Sequence, residues 1–408
     1  MPHPARIAIP FALLLGAAAP ALAQNQLPDG PGKVEVEAAC TGCHEVRRLT
    51  ASGYSPQDWR KVVAMMRNVG APIAPEQVAT ITDYLIAHFP PKVRPAAVAL
   101  EGSTQVSFRE WVVPTPGARP HDPLATADGA IWYSGHMANL LGRVDPATGH
   151  IQEFQTPTPN AGPHGLVADA QGDIWYTGNF SGLIGRLDPR TGKFTEYRLP
   201  DPKARDPHTP LFDRNGTLWF TVQGGNMIGR LDPGTGAIRL VTVPTPRALP
   251  YGLVFTSKGI PFFDEFGTNR LGSIDPVTMH VTEHVLPNPG TRPRRIAITP
   301  DDIIWYTDYA RGQLGRFDPA TGAAREFALP GGPNSQPYAI AVLKGAVWYV
   351  ETGVSPNALV RFDLAARTFQ TWKIPAGGGV VRNMMTTRDG NLVLAESGVN
   401  RVALVEVK

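Results

Sequence analysis

The sequence predicts a small all-α domain over residues 28–92 followed by an all-β seven-bladed propeller over residues 105–408. Three observations carry this. A Gly-Arg-x-Asp-Pro segment recurs at near-constant spacing through the last three quarters of the chain. Before it, apolar residues fall at helical spacing. Between the two, at Phe89-Pro90-Pro91-Lys92, the composition changes abruptly.

The chain opens with a basic residue, Arg6, an apolar run from Ile7 to Ala19, and the small-residue end Ala21-Leu22-Ala23. This reads as a signal peptide over residues 1–23, cleaved after Ala23, because the run is short and broken by Pro10 and Pro20. An uncleaved membrane anchor is the alternative. Cleavage leaves a periplasmic protein with no transmembrane anchor. The net charge is +3, with Lys and Arg dispersed among acids, which excludes a nucleic-acid surface.

The only two cysteines stand in Cys40-Thr41-Gly42-Cys43-His44. Cys-x-x-Cys-His is the attachment pattern for haem c: two thioether bonds fix the porphyrin and the adjacent imidazole reaches the iron. A thioredoxin-like pair or half a zinc site are the rivals, but no second cysteine pair and no strand-helix pattern accompany the motif. Ser55-Pro56 starts a helix whose apolar face carries Trp59, Val62, Val63, Met66 and Val69, and Gly70-Ala71-Pro72 stops it. A last helix over about 75–89 buries Val78, Ile81, Tyr84 and Leu85. The sixth iron ligand is read as Met66, on the apolar face, with Met65 and then His88 as alternatives; core filling by both methionines is the remaining reading. The segments CTGCHEVRRLT, WRKVVAMMRNVGAP and ITDYLIAHFP resemble class I c-type cytochrome domains, most closely those attached to larger periplasmic dehydrogenases such as quinohaemoprotein amine dehydrogenases. The resemblance implies electron transfer through one covalent haem to a periplasmic redox partner protein.

Residues 93–104, rich in Pro and Ala, form the linker. Beyond it, Gly142-Arg143-Val144-Asp145-Pro146 returns from Gly185, Gly229, Gly272 and Gly315, with weaker copies at Val360 and Asn400. The spacings of 43, 44, 43, 43, 45 and 40 suit four-stranded propeller blades. Asp-Pro-x-Thr-Gly closes a hairpin with a side-chain acceptor, a fixed φ and a residue tolerant of positive φ. Seven units carry only six outer strands after them, so residues 105–113 are expected to complete the last blade and remove its free edge.

Alignment of the repeats exposes two rings. At the start of the innermost strand stand His121, His164, His208, Tyr251, Arg294, Tyr338 and Arg382. Fourteen residues later, or thirteen in one blade, stand Gly135, Gly178, Val222, Glu265, Asp308, Glu351 and Glu396. Three histidines without an acid beside them, and four acids on the other blades, predict a lopsided channel mouth. These are either polar positions in a wet funnel or a site for a small molecule or metal, the three imidazoles being ligands for zinc, copper or iron.

The blade signatures PHGLVADAQGDIWYT and LIGRLDPRTGKFTEYRLP resemble the virginiamycin B lyase (streptogramin lyase) family. That resemblance implies the propeller, and a lyase chemistry built on histidine at the first ring, glutamate at the second ring of the same blade, and magnesium. Here each histidine is followed by Gly135, Gly178 or Val222, so the pair is not assembled within a blade; His121 with Glu396 across blades is the remaining arrangement. Three functions follow: electron transfer with the propeller as docking domain, a propeller oxidoreductase feeding the haem, or a carbon-oxygen lyase with an appended cytochrome.

Overall fold

A computed structural model describes residues 26–41, 46–68 and 71–408. The signal segment 1–23, Cys43 and His44 lie outside the described residues, as does the side chain of Met65. The chain divides into two compact units, residues 1–93 and 94–408.

Four α-helices are described in the first unit, α1 (Lys33–Cys40), α2 (Val46–Ala51), α3 (Pro56–Asn68) and α4 (Val78–His88), with a 3-10 turn over Pro75–Gln77 leading into the last. α3 begins where Ser55 caps it, its hydroxyl accepting the Asp58 N–H at 3.1 Å and donating to the Asp58 carboxylate at 2.7 Å. Val36 and Ala39 from α1, Trp59 and Val63 from α3, and Ile81, Tyr84 and Leu85 from α4 bury one apolar cluster, closed by Leu27, Ile73 and Phe89. Cys40, Val62, Met66 and Val78 pack against it, partly buried. Trp59 Nε1 donates to the Phe89 carbonyl at 2.7 Å, so the indole gives up no hydrogen bond on burial. Among the described residues no helix is long and apolar enough to cross a membrane.

The second unit comprises seven four-stranded antiparallel sheets. Six run in chain order over residues 120–155, 163–198, 207–242, 250–285, 293–328 and 337–373. The seventh is composite: Val106–Val112 pairs with the C-terminal strand Arg401–Val407, outside Leu392–Glu396 and Val381–Thr386. Both ends of the propeller chain therefore meet in one sheet.

The repeat motif has a packing reason. Tyr133, on the second strand of its blade, lies over Gly142 on the third, where an added Cβ would come 2.0 Å from the ring. Its hydroxyl donates to Glu153 on the fourth strand at 2.7 Å. Tyr176, Gly185 and Glu196 repeat the arrangement in the next blade. The Asp-Pro-x-Thr-Gly turn behaves as its chemistry requires: Asp145 accepts the Ala147 N–H at 2.9 Å and the Thr148 hydroxyl at 2.8 Å, and Gly149 takes φ 75°. Neighbouring blades are stapled near the axis by hydroxyls donating to the next blade's carbonyl: Ser134 to His164, Thr177 to His208, Thr221 to Tyr251, at 2.6 to 2.8 Å.

Residues 94–105 are bonded along the propeller. Arg94 donates to the carbonyls of Thr352 and Gly379, both at 3.1 Å, Pro95 accepts from the Ser355 N–H, and Leu100 and Thr371 exchange backbone and hydroxyl bonds.

Candidate functional site

Every innermost strand carries a β-bulge at its start: Pro120 pairs with Gly135 but Pro123 with Tyr133, and the same extra residue occurs in the other six blades. A bulge places two residues opposite one and re-aims a side chain. The first-ring residues therefore enter the channel together with the residues that follow them, a feature that repeat spacing alone does not disclose.

His121, His164 and His208 are buried and stack in sequence, their ring centroids 3.6 and 3.9 Å apart, and His208 lies 3.7 Å from Tyr251. The hydroxyls of Tyr251 and Tyr338 bond to each other. Arg294 lies over Tyr338, 3.7 Å from the ring centroid, and Arg382 Nε donates to the Ser397 hydroxyl at 3.1 Å. Six of the seven first-ring residues, from His121 through Tyr251 to Tyr338 with Arg294 between the two tyrosines, touch one another in this way.

The expectation that no acid stands beside the histidines is corrected. Asp122, the residue after His121, bonds His121 Nδ1 at 2.8 Å, accepts Arg295 at 2.9 Å through the same oxygen, and accepts Asn383 at 2.9 Å through the other. Asp122, Arg295 and Asn383 occupy the second bulge position of three blades. Together they build a charge-compensated network around a buried carboxylate.

The second ring does not converge with the first. Glu265 accepts the Thr268 hydroxyl at 2.8 Å and lies beside Glu283; Asp308 engages Arg311 at 3.2 Å and the Arg292 N–H at 3.0 Å; Glu351 accepts the Gly331 N–H at 3.0 Å; Glu396 lies beside Glu110. Side chains alternate along a strand, so these acids turn into the blades and the next residue turns to the channel. That next position supplies the rim. His136 packs 5.2 and 5.1 Å from His121 and His164, Phe266 5.7 Å from Tyr251, and Tyr309 6.0 Å from Tyr338. Arg294 is thereby enclosed by Tyr338, Tyr309 at 4.2 Å and Phe266 at 4.9 Å, a cation on three π faces. The mouth is lopsided, but as an imidazole half facing a cationic aromatic half. The rim lay one residue beyond the expected ring, and period-two alternation from the buried Glu265 and Glu351 is the signal that would have found it.

Burial, reinforced by neighbouring imidazoles and arginines, holds His121, His164 and His208 well below the usual histidine range, and burial with Arg382 brings His136 to about 3. Burial pushes the Tyr251 phenol up, whereas at Tyr338 burial is outweighed by Arg294, Arg382 and Arg295, which pull its phenol down.

Buried carboxyls move the other way: burial raises Asp122, against the pull of Arg295, and Asp308 above the usual carboxylate range, and four others are raised further into the neutral range. Burial raises Asp264 and Glu351 to about 7, and raises Glu265 and Glu396 to about 8, where Glu283 and Glu110 add to it. Asp264 stands where other blades place the stapling hydroxyl, one oxygen accepting the Gly252 N–H at 2.7 Å, so its neutral form retains a donor. Each of these acids is protonated folded and ionised unfolded between about pH 4 and its raised value, so its contribution is full below about pH 4 and lost as pH rises to about 7 or 8. The histidines have the opposite sign, and their contribution is complete once pH passes the unfolded value of 6.5. Between pH 6.5 and 8 the histidines no longer change the balance and the carboxyls set the slope, opposed near pH 8 by Tyr338, whose phenol is pulled down to about 8. The urea midpoint should fall across that window, and Glu396→Gln should flatten the fall; an unaltered slope in the variant would remove Glu396 from the account.

Residues 100–267 and 236–408 match the model of the virginiamycin B lyase family. The chain belongs to the virginiamycin B lyase family. A streptogramin B lyase is 28% identical, covers 74% of this chain and 98% of its own, and superposes with a TM-score of 0.68. Two structures of virginiamycin B lyase from Staphylococcus aureus are similar: one is 26% identical with a TM-score of 0.67, the other, a catalytically inactive variant with quinupristin, is 25% identical with a TM-score of 0.68. Each covers 74% of this chain and 99% of its own. No curated protein matches the chain in sequence. The family match begins at residue 100, so within this virginiamycin B lyase-like protein the helical unit stands outside the family region.

Proposed function

We propose that this member of the virginiamycin B lyase family is an exported electron-transfer haemoprotein. One haem c is linked to Cys40 and Cys43, with His44 and Met66 at the iron, and the propeller mouth docks a small ligand or a periplasmic redox partner. The observation that carries the reading is the Cys40-Thr41-Gly42-Cys43-His44 motif, whose first residue ends α1, together with the helical core against which Cys40 packs. Cys40 and Met66 both lean, partly buried, on that apolar cluster, as a thioether-forming cysteine and a thioether ligand of one porphyrin would. When bound, the haem supplies a one-electron Fe(III)/Fe(II) couple; the chain's part is to shield it from water and to set its axial donors.

A thioether opposite histidine favours ferrous iron. Met66→Ala should keep the covalent haem and lower the midpoint potential, read by redox titration, whereas Met65→Ala should leave the potential near wild type. A wild-type protein without haem after export through a cytochrome-maturing host would overturn the reading, and an unaltered potential in Met66→Ala would remove Met66.

Family membership over residues 100–408 favours a second reading, a carbon-oxygen lyase. Against it, the three histidine blades carry Gly135, Gly178 and Val222 where an acid would be needed, and Glu396 lies beside Glu110 instead of joining His121. Ring opening of a cyclic depsipeptide by the purified protein, with no change in a haem spectrum, would support the lyase over electron transfer.

A further inference from the structure

In the fifth blade, over residues 293–328, Trp305, Arg316 and Arg325 stand directly opposite one another on three neighbouring strands. Their counterparts in other blades are satisfied. Arg143 pairs with Asp128 at 3.0 Å, Arg186 with Asp173, and Arg361 with Asp363 at 2.8 Å. Arg230, which also stands opposite an arginine, Arg239, donates to the Pro276 carbonyl at 2.6 Å. The indoles of Trp175 and Trp219 donate to Asp169 at 2.8 Å and Asp213 at 3.0 Å, each six residues earlier. In the fifth blade Thr299 holds that place, and its hydroxyl donates to the Ile303 carbonyl. Trp305 is 4% exposed and its Nε1 has no acceptor. Among the described residues the guanidinium of Arg316 meets no carboxylate or carbonyl, and it stands against the like charge of Arg325, a pairing that costs stability.

These groups line one pocket of about 280 Å3, together with Phe327, Phe362 and, from the turn of the sixth blade, Arg367; among the described residues no acid lines it. The turn fixes Arg367 there, with φ 58° and its N–H on the Asp363 carbonyl at 2.8 Å. Asp363 and Glu326, the acids nearest in sequence, are committed to Arg361 and Arg311. We propose that this pocket binds a tetrahedral oxyanion, phosphate or sulfate, free or esterified to a small aromatic ring. Guanidinium forks match the paired oxygens of such an anion, and three of them suit its charge better than that of a single carboxylate. The anion relieves the repulsion between Arg316 and Arg325 and offers Trp305 Nε1 the acceptor that Thr299 does not supply. Phe327 and Phe362 give an ester's ring an apolar surface. The pocket stands on the second to fourth strands, apart from the innermost strands that line the channel.

The full-length protein is titrated by calorimetry with inorganic phosphate, inorganic sulfate and phenyl phosphate at constant ionic strength, with chloride as the reference. Saturable binding of at least one of the three is expected. Arg316→Gln and Arg325→Gln should each weaken it at least about tenfold, and Trp305→Phe by less, while circular dichroism shows the sheet intact. Arg143→Gln, at the equivalent place of the first blade where Asp128 is the partner, should bind as wild type. The bound anion should raise the melting temperature of the wild type and not that of Arg316→Gln. Phenyl phosphate binding tighter than phosphate assigns an ester, and equal affinity assigns the free ion. No saturable binding of any of the three, a heat that chloride reproduces, or unchanged affinity in both folded arginine variants would overturn the proposal.

Discussion

Asp122→Ala should lower the stability of the propeller by about 3–5 kcal/mol, read as a lower urea midpoint. The carboxylate is 3% exposed and its partner Arg295 4%, 2.9 Å away. Removing the acid leaves a guanidinium buried without its counter-charge, and also strips Asn383 and His121 of an acceptor. The loss comes chiefly from the stranded charge, since a buried ion pair and an apolar pair of similar volume are often equally stable. Asp122→Leu combined with Arg295→Met should therefore recover most of the stability that Asp122→Ala loses. A single variant within about 1 kcal/mol of wild type would mean that Arg295 finds another partner. Recovery failing in the double variant would mean that the network, and not the pair, holds this end of the channel.

Cys40→Ala combined with Cys43→Ala should abolish covalent haem altogether, seen as loss of haem-linked peroxidase staining after denaturing electrophoresis. Each single variant should retain at most one thioether and a small fraction of the wild-type holoprotein. Thioether formation needs both sulfurs on one turn of chain beside the ligand, and α1 delivers Cys40 to the edge of the apolar cluster at its last residue. Without the porphyrin, a helical unit this small loses part of its core, so its helices should melt at lower temperature than in the holoprotein while the propeller transition stays in place. Haem staining that survives the double substitution would overturn attachment through Cys40 and Cys43.

Much of the propeller was legible because its signals are local. Asp145 to Gly149 close a turn by bonds within a few residues, and Gly142 is required by the one tyrosine that lies on it. Such needs recur in each blade, so they print a period in the chain. The first ring was legible for the same reason, since equal repeats put His121 and His164 at equivalent places. The rest of the site was not. Asp122 and Arg295 are 173 residues apart and meet across the channel, a contact that no spacing encodes.

The sequence by itself determined the blade repeat and the closure chemistry of its turns, since each rests on bonds between near neighbours. Tertiary structure alone decided which of two adjacent side chains faces the channel. The bulge sends Asp122 inward beside His121, and strand alternation turns Glu265 into its blade while Phe266 meets Arg294. Both outcomes depend on a one-residue register, which pairing with a neighbouring strand sets and which the chain read alone leaves open.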